Sequence, residues 1–418
     1  MNNLYLINWL KANCIRRLPL YKRTLKSLFM EDGENSSTLK HKLSDAVLNV
    51  PYYRNRYLNK LETISIEDFP ILRKSDIIGN EFSFLSKRYK KIFLLPKSTG
   101  GTTGKSLNFF KPIRDVIIET AFIDFAFSLI NKNIKECVIG IMRGYQSKNG
   151  SFKRVYNQHV LSAYDLNKNS IKNYLQYIAD NQINCLMVYP TALIIFCKLI
   201  KSEQLCPPKL TGIISSSETL TVHDKKFILE VLPSIKLIDL YGQNEHVAFA
   251  LSVNLNPYKF FNKYGFTEFV ETKERTPSGN KLYEIVSTGF LNNAMPLIRY
   301  ATEDLVEIDN QGNIIAIIGR SQDFLIDSEG NLNPCMVLTR DNTLLNVLSF
   351  QYFQELPGEM EFRVLVNDRF DDSDIKNIVL DIENTFRGRI KAKVSVVEEI
   401  EKTKNGKQKR LIQHLKTN

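Results

Sequence analysis

Short apolar runs alternate with helical periods between positions 185 and 242, and this pattern constrains the fold more than any other feature of the chain. The run CLMVYP is followed by TALIIFCKLIKSE, LTGIISSSETL, HDKKFILEVL and IKLIDLYG. Such alternation predicts βαβ units and a largely parallel sheet. Ligands of such sheets bind at the carboxyl ends of the strands. Two polar clusters fall at those ends, at 215–218 (SSSE) and 241–245 (YGQNE).

The segments before this run predict further helices. A helix begins near Ser37, with Ser36 or Ser37 as its cap, and ends at Pro51. Pro112 opens a second helix as its first residue. We also expect a buried strand at 137–142 and a helix at 170–180. The basic and apolar segment 4–28 is expected to pack on its own domain rather than anchor the chain to a membrane, since Pro19 interrupts it.

The pattern changes beyond position 258 to strands joined by turns, which are FTEFVE, KLYEIVST, LIRYATEDLVEI and NIIAIIG. A hairpin at 324–334, a strand at 360–366, a helix at 372–386 and a strand at 390–397 follow. This second change predicts a domain boundary near Ser321. We therefore predict a mixed α/β protein with a large N-terminal domain, 1–321, whose sheets are flanked by helices. A small mobile α+β domain, 322–418, follows it.

Composition narrows the class of protein. The 418 residues are 43% hydrophobic and 24% charged, as in ordinary globular proteins, with a formal charge of +11. This charge is thinly spread, and neither zinc-finger spacing nor an RNA-binding aromatic motif accompanies it, so we expect no nucleic acid partner. The six cysteines form no C-x-x-C pair, which favours a cytoplasmic protein without structural zinc. No apolar stretch is long enough to span a bilayer, and a homodimer is left open.

A loop rich in glycine and hydroxyl groups, STGGTTGKS at 98–106, predicts a polyphosphate site. Glycines let backbone N–H groups turn inward and form an anion-binding nest. The loop is not a Walker A motif, because Thr99 stands where the first glycine should be. A flexible surface loop is the alternative. The predicted binding residues are Ser98, Thr99, Gly100, Gly101, Thr102, Thr103, Gly104 and Lys105.

A series of short motifs in the right order resembles the adenylate-forming superfamily of acyl-CoA synthetases and peptide-synthetase adenylation domains. Within it, the chain looks most like the phenylacetate–CoA ligase and CapK branch. Besides the loop and the turn YPT at 189–191, the resemblance rests on YGQNE at 241–245, MPLIRY and TED at 295–304, GRSQD at 319–323 and NGK at 405–407. The departures from the family pattern are Asn244, Ala301, Glu303 and Gln322.

The resemblance implies an enzyme that activates a carboxylic acid with ATP and Mg²⁺, releases pyrophosphate, and passes the acyl group from an acyl-adenylate to coenzyme A. An amine or hydroxyl acceptor, such as an amino sugar in surface-polysaccharide assembly, is the alternative. The third reading is a nucleotide-binding or membrane-surface protein that has lost catalysis. The sequence identifies neither the acid nor the acceptor.

The resemblance also implies roles for single residues. The loop would grip the β- and γ-phosphates, Tyr241 would stack on adenine, and Glu245 would hold Mg²⁺. Asp304 would accept hydrogen bonds from the ribose, and Arg320 would contact the ribose or a phosphate. Lys407 would reach from the small domain to the reacting carboxylate. The nucleotide site would also include Ser217, Glu218, Gly242 and Gln243.

Each role has a structural alternative. Tyr241 fits a core position and Glu245 a surface carboxylate. Asp304 and Arg320 fit an ion pair, and Lys407 fits one more solvated lysine. We expect His159 and His246 to be satisfied polar residues rather than catalytic bases. Gln322 occupies the expected hinge and Glu303 replaces a glycine, so full domain alternation is left open.

Overall fold

The structure, a computed structural model, describes residues 14–30, 33, 35–98, 107–143, 150–155, 158–163, 165–276, 280–320, 324–330, 332–334, 343–344, 346–402 and 408–415. No helix within these ranges is both long enough and apolar enough to cross a bilayer. The α-helices are α1 (Pro19–Leu28), α2 (Ser36–Asn49), α3 (Pro51–Tyr57), α4 (Lys74–Ile77), α5 (Ile113–Ile130), α6 (Ile171–Asp180), α7 (Pro190–Ser202), α8 (Val222–Val231) and α9 (Asp372–Thr385).

The first strands, β1 (Leu94–Ser98) and β2 (Asn108–Pro112), form a hairpin. The next eight form one sheet and are β3 (Ile139–Arg143), β4 (Phe152–Val155), β5 (Gln158–Ser162), β6 (Cys185–Val188), β7 (Gly212–Ser216), β8 (Lys236–Gly242), β9 (Phe249–Val253) and β10 (Lys259–Phe260). Their spatial order is β10-β9-β8-β7-β6-β3-β5-β4. The run from β8 to β5 is parallel, which confirms the prediction of a largely parallel sheet.

Both faces of this sheet are covered by helices, which is why its central strands are apolar at consecutive positions. Successive residues of a strand point to opposite faces. Ile213 therefore packs in the same core as Phe196 of α7, whereas Ile214 packs with Phe122 of α5. All five residues of β7 are buried.

A second, antiparallel sheet follows, of β11 (Gly265–Arg275), β12 (Lys281–Gly289), β13 (Tyr300–Ile308) and β14 (Ile314–Arg320). The C-terminal part begins with a hairpin of β15 (Phe324–Ile326) and β16 (Leu332–Pro334). It continues with a four-stranded sheet of β17 (Val347–Gln354), β18 (Glu359–Val366), β19 (Lys391–Val396) and β20 (Leu411–Gln413). Strands β18 and β19 are parallel and joined through α9, as predicted, whereas β17 and β20 were not predicted.

The C-terminal sheet has a hydrophobic core of its own, which includes Tyr352, Phe362, Ile378 and Phe386. Its strand β17 packs against α7 of the large part of the chain. The predicted boundary near Ser321 lies in residues 321–323, outside the described residues, and stays a prediction.

Three prolines lie at helix starts, although the sequence suggested a stop at Pro51 and a break at Pro19 and predicted a start only at Pro112. Helix α2 has Asn35 as its N-cap residue rather than Ser36 or Ser37, and Pro51 is the first residue of α3. Pro19 is the first residue of α1, and Pro112 precedes α5. Proline suits a first helical position because the N–H it lacks has no partner there. Helix α1 packs on α5, and residues 4–13 lie outside the described residues.

Candidate active site

The hairpin β1–β2 holds both ends of the predicted phosphate loop. Ser98, the last residue of β1, lies opposite Asn108, the first residue of β2. Loop residues 99–106 lie outside the described residues, so their contacts with phosphate stay a prediction. Leu107 is fully buried and fixes the end of the loop in the core that contains Tyr300.

Tyr241 and Asp304 are brought together from different sheets. The Tyr241 hydroxyl donates to Asp304 Oδ2 at 2.8 Å and lies 3.5 Å from Thr302 Oγ1. Gln243 donates its side-chain amide to the same hydroxyl. Burial, with the Asp304 charge, raises the pKa of Tyr241 well above its ordinary value, so the phenol stays a donor. Three residues predicted for the nucleotide site thus form one hydrogen-bonded group where β8 ends.

Asp304 also lies directly opposite Arg320 in the register of β13 and β14. The described structure of Arg320 is limited to its backbone. Glu303 has a φ of 64°, in the left-handed region that favours glycine. The glycine of the family motif therefore falls at a position whose backbone suits glycine, and this chain adopts the same conformation with glutamate.

Glu245 lies in a cluster of charged groups beyond the end of β8. Its Oε1 accepts a hydrogen bond from the Tyr300 hydroxyl at 3.2 Å. The ammonium of Lys111, on β2, is close enough to feel the charges of Glu119 and Glu245. Lys111 is only 3% exposed, and burial lowers its pKa to about 8 against the opposing effect of those carboxylates.

This donor set suits Mg²⁺ carried in by a nucleotide. Mg²⁺ prefers one or two carboxylates together with phosphate oxygens and water. Within the described residues no group of three or more His, Cys, Asp or Glu side chains has the geometry of a metal site. A protein-only cage is therefore absent from that part of the chain, whereas a single carboxylate at Glu245 fits a metal held mainly by phosphates.

Glu218 contacts two other parts of the protein. Its Oε2 accepts from Thr191 N at 3.0 Å and from Thr191 Oγ1 at 2.6 Å. Its Oε1 accepts from the backbone N–H of Gln408 at 3.2 Å. Glu218 therefore links the start of α7 to the segment that directly follows Lys407, which itself lies outside the described residues. The neighbouring Ser217 is exposed and has a φ of 80°.

The two histidines that we do not expect to be catalytic bases are both buried. His159 Nδ1 lies 3.2 Å from the Tyr177 hydroxyl, and burial lowers the pKa of this imidazole. His246 Nε2 lies 3.8 Å from Glu119 Oε2. Their contacts are those of polar side chains within the fold.

Curated proteins match the chain over most of its length, although no protein-family model matches it. The chain is 25% identical to Protein CapK of Staphylococcus aureus over 383 residues, 85% of this chain and 82% of that protein. It is 25% identical to phenylacetate-coenzyme A ligase of Aromatoleum evansii over 328 residues, 72% of each. A crystal structure of 2-hydroxyisobutyryl-CoA ligase in the postadenylation state has a TM-score of 0.65 at 14% identity, covering 92% of this chain and 90% of that one.

These matches support the resemblance to the adenylate-forming superfamily. The resemblance predicted from the motifs is thereby confirmed. Sequence reasoning did not identify two charged residues near the candidate site, Lys111 and Arg143. Lys111 follows two phenylalanines in the strand NFFKP, and nothing in this local sequence distinguishes it from a solvent-exposed lysine. Only the folded arrangement shows that its ammonium is buried near Glu245.

Proposed function

We propose that the protein is an ATP-dependent, AMP-forming ligase that activates a carboxylic acid as an acyl-adenylate and transfers the acyl group to an acceptor. The relatives named phenylacetate-coenzyme A ligase support this reaction class. The observation that carries the proposal is the hydrogen bond between Tyr241 and Asp304 at the carboxyl edge of the parallel sheet. That edge is where such sheets bind nucleotides.

The proposed chemistry has two steps. In the first, a carboxylate oxygen of the acid bonds to the α-phosphorus of ATP, and the bond between the α-phosphorus and the bridging oxygen breaks to release pyrophosphate. In the second, the acceptor attacks the acyl carbon, loses its proton, and displaces AMP. Both steps bring anions together, so catalysis depends on positioning and on electrostatic stabilisation.

The described residues suit separate parts of the nucleotide. Asp304 is an acceptor for ribose hydroxyls, and Tyr241 supplies an aromatic ring for adenine. Glu245 would hold the Mg²⁺ that neutralises the phosphates. Lys111 would add a positive charge beside the pyrophosphate leaving group. The assignments of Arg320, the 99–106 loop and Lys407 rest on the motif resemblance.

Coenzyme A is the proposed acceptor, because matched relatives are coenzyme A ligases. An amine or hydroxyl acceptor is the second candidate, and the extent of the match to Protein CapK supports testing it. The two candidates share the first step and differ only in the group that attacks the acyl carbon.

Acid-dependent exchange of labelled pyrophosphate into ATP tests the first step. We expect exchange with at least one member of a carboxylate panel. We also expect Glu245→Gln to lower the exchange rate and to shift its Mg²⁺ dependence to higher concentration, by roughly tenfold to a hundredfold. Glu271→Gln is the matched control, because Glu271 is an exposed carboxylate on β11 that pairs with Arg275 and Lys281.

Release of AMP with coenzyme A, compared with release with amino sugars and hydroxylamine, then identifies the acceptor. Binding of Mg·ATP without exchange by any acid in a broad panel would favour the inactive nucleotide-binding alternative. An exchange rate unchanged in Glu245→Gln would remove the metal assignment.

A further inference from the structure

Arg143 places a positive charge at the carboxyl edge of the central sheet. It is the last residue of β3, and its Nη2 donates to Ser216 Oγ at 2.9 Å. Ser216 is the last residue of β7, two strands away in the sheet order β7-β6-β3. Strands lie roughly 4.8 Å apart, so the side chain spans about 10 Å along the edge. Its charge therefore lies one strand from β8 and Tyr241.

The Arg143 side chain crosses the end of β6 on its way to β7. The guanidinium carbon lies 5.2 Å from the centre of the Tyr189 ring, which follows β6 directly. The ring supports the planar group from one side, and Ser216 fixes one of its nitrogens. The guanidinium is thus held in a defined orientation before any ligand binds, which is the condition for selective recognition.

Among the residues that the structure describes, no carboxylate lies within ion-pair distance of this guanidinium. Its Nε is completely buried and has no hydrogen-bond partner there. The nearby carboxylate of Glu218 is already engaged by Thr191 and by the backbone of Gln408. Burial lowers the pKa of Arg143, and the opposing effects of Tyr189 and Glu218 offset this only in part. A buried charge without a partner is costly unless a ligand supplies the counter-charge.

We propose that Arg143 and Ser216 form an anion subsite that selects an acid carrying a second anionic group besides the carboxylate that is adenylated. A guanidinium presents several N–H groups in a plane and binds carboxylate, sulfate or phosphate through two parallel hydrogen bonds. Ser216 lies opposite Leu240 in the register of β7 and β8, so this subsite is one strand away from Tyr241. This inference rests on the proposed function and adds a substrate class to it.

The test compares diacids with their own monoamides in the pyrophosphate-exchange assay on the full-length protein. Suitable pairs are succinate, adipate and terephthalate with the corresponding monoamides, which keep one carboxylate and the length of the acid. We expect the wild type to prefer the diacid of at least one pair. Arg143→Gln should lower kcat/KM for that diacid by roughly tenfold to a hundredfold and leave the monoamide nearly unchanged, as for loss of a charged hydrogen bond.

Two further variants distinguish a role of Arg143 in binding the diacid from a role in stabilising the fold. Arg143→Lys keeps the charge but loses the planar fork, so it should recover part of the preference for the diacid. Arg56→Gln is the matched control, because Arg56 also stacks on a tyrosine, Tyr52, but lies on α3 and is exposed. Thermal unfolding without ligand should show Arg143→Gln to be as stable as the wild type or more stable, since an uncompensated charge is removed.

Equal kcat/KM for diacid and monoamide in the wild type, across all pairs, would overturn the anion subsite. So would an equal loss on both acids in Arg143→Gln, which would mean that Arg143 holds the reacting carboxylate. If no acid supports exchange, the proposed function fails, and calorimetric titration of succinate, adipate and terephthalate into wild type and Arg143→Gln still decides the subsite. Binding of a diacid by the wild type that is lost in the variant supports it, and the absence of such a difference overturns it.

Discussion

Lys111 lies in an environment that its position in the sequence does not suggest. Its ammonium is 3% exposed and faces the carboxylates of Glu119 and Glu245, while Asp115 adds a weaker attraction. Folding lowers its pKa from the ordinary value of 10.5 to about 8 because burial penalises the charged form. The folded chain therefore binds fewer protons than the unfolded chain between those values. Lys111 alone makes stability rise with pH across that window.

The same shift predicts a pH dependence of polyphosphate binding. Lys111 carries its charge below pH 8, so affinity for pyrophosphate should fall as the pH rises through about 8. Lys111→Arg keeps the charge at all these pH values and should flatten the profile. Lys111→Met should bind roughly tenfold more weakly at pH 7, since it loses one charged contact.

Calorimetric titration of pyrophosphate at a series of pH values measures this effect, with Lys97→Met as the control on the neighbouring strand. A profile that is the same in wild type and Lys111→Arg would contradict the placement of Lys111 beside the phosphates.

Sequence reasoning succeeded at the residue scale where a motif stands at a strand end. Tyr241 and Glu245 belong to a polar cluster that follows an apolar run, whereas Asp304 was predicted from the motif resemblance alone, and the structure places Tyr241 against Asp304. Sequence reasoning did not identify Lys111 or Arg143. Their importance depends on how far their charges are withdrawn from solvent, and burial of a charge is visible only after distant segments have packed.

Strand β8 ends with Tyr241 and Gly242, which are predicted for the nucleotide site, and a buried ion pair holds this strand against α8. Lys225 of α8 lies 3.1 Å from Asp239 of β8, and both side chains are at most 5% exposed. The Tyr258 hydroxyl also donates to Asp239. Asp239 and Tyr241 are two positions apart on β8, so their side chains point to the same face of the sheet. The ion pair between Lys225 and Asp239 therefore helps to fix the position of Tyr241.

We predict that Asp239→Asn destabilises the protein by about 3–5 kcal/mol, because it leaves the Lys225 ammonium buried without its counter-charge. The double variant Lys225→Met, Asp239→Leu should lose less than the single variant, since no charge is then stranded. Urea denaturation followed by circular dichroism gives both values. If Asp239→Asn lowered the free energy of unfolding by only about 1 kcal/mol or less, as expected for a surface ion pair, the proposed contribution of this buried pair would be wrong.

Elements with strong hydrophobic periodicity were predicted from the sequence. Short strands that depend on pairing with a distant strand were not. The alternation from 185 to 242 gave β6, α7, β7, α8 and β8, because parallel strands buried on both faces are continuously apolar. Strand β20 has only three residues and is stabilised by its parallel pairing with β17, which no local pattern records. The prolines at positions 19 and 51 were interpreted as breaks although they begin helices, since proline carries both meanings.

The C-terminal part of the molecule is held against the large part by contacts at the start and the end of α7. Glu218 accepts from both Thr191 and Gln408. Lys198, whose pKa burial lowers to about 8, donates to the Leu344 carbonyl at 3.1 Å and to that of Val347. These contacts hold Gln408 and strand β17 against α7 and the residue Glu218 that follows β7.

Loss of the Glu218 contact should slow adenylate formation more than acyl transfer. In Glu218→Ala the Gln408 N–H has no acceptor, so the segment after Lys407 is less often in place, and the first step should slow by roughly tenfold to a hundredfold. Transfer from a synthetic acyl-adenylate should stay near the wild-type rate. Rapid-quench measurement of the two half-reactions separates these effects.

Lys168→Ala is the control for this interface, because its pair with Asp368 is exposed and worth little. Equal slowing of both half-reactions in Glu218→Ala would instead assign Glu218 to the nucleotide itself.

Lys407→Ala should leave ATP affinity nearly intact and abolish most adenylation. Losing one charge aimed at a transition state costs about 3 to 4 kcal/mol, or roughly a hundredfold to a thousandfold in rate. Lys404→Ala and Lys409→Ala are the matched controls and should change the rate only slightly. Pyrophosphate exchange at the wild-type rate in Lys407→Ala would mean that the C-terminal motif match is accidental.

The most direct measurement follows a heavy oxygen isotope placed in both carboxylate oxygens of the acid substrate. If the carboxylate attacks the α-phosphorus, one labelled oxygen stays on AMP after the acyl group leaves, and mass spectrometry of the released AMP detects it. The account predicts AMP that carries a single heavy oxygen, together with unlabelled pyrophosphate. Unlabelled AMP, or ADP accompanied by labelled phosphate, would contradict the acyl-adenylate on which the account depends.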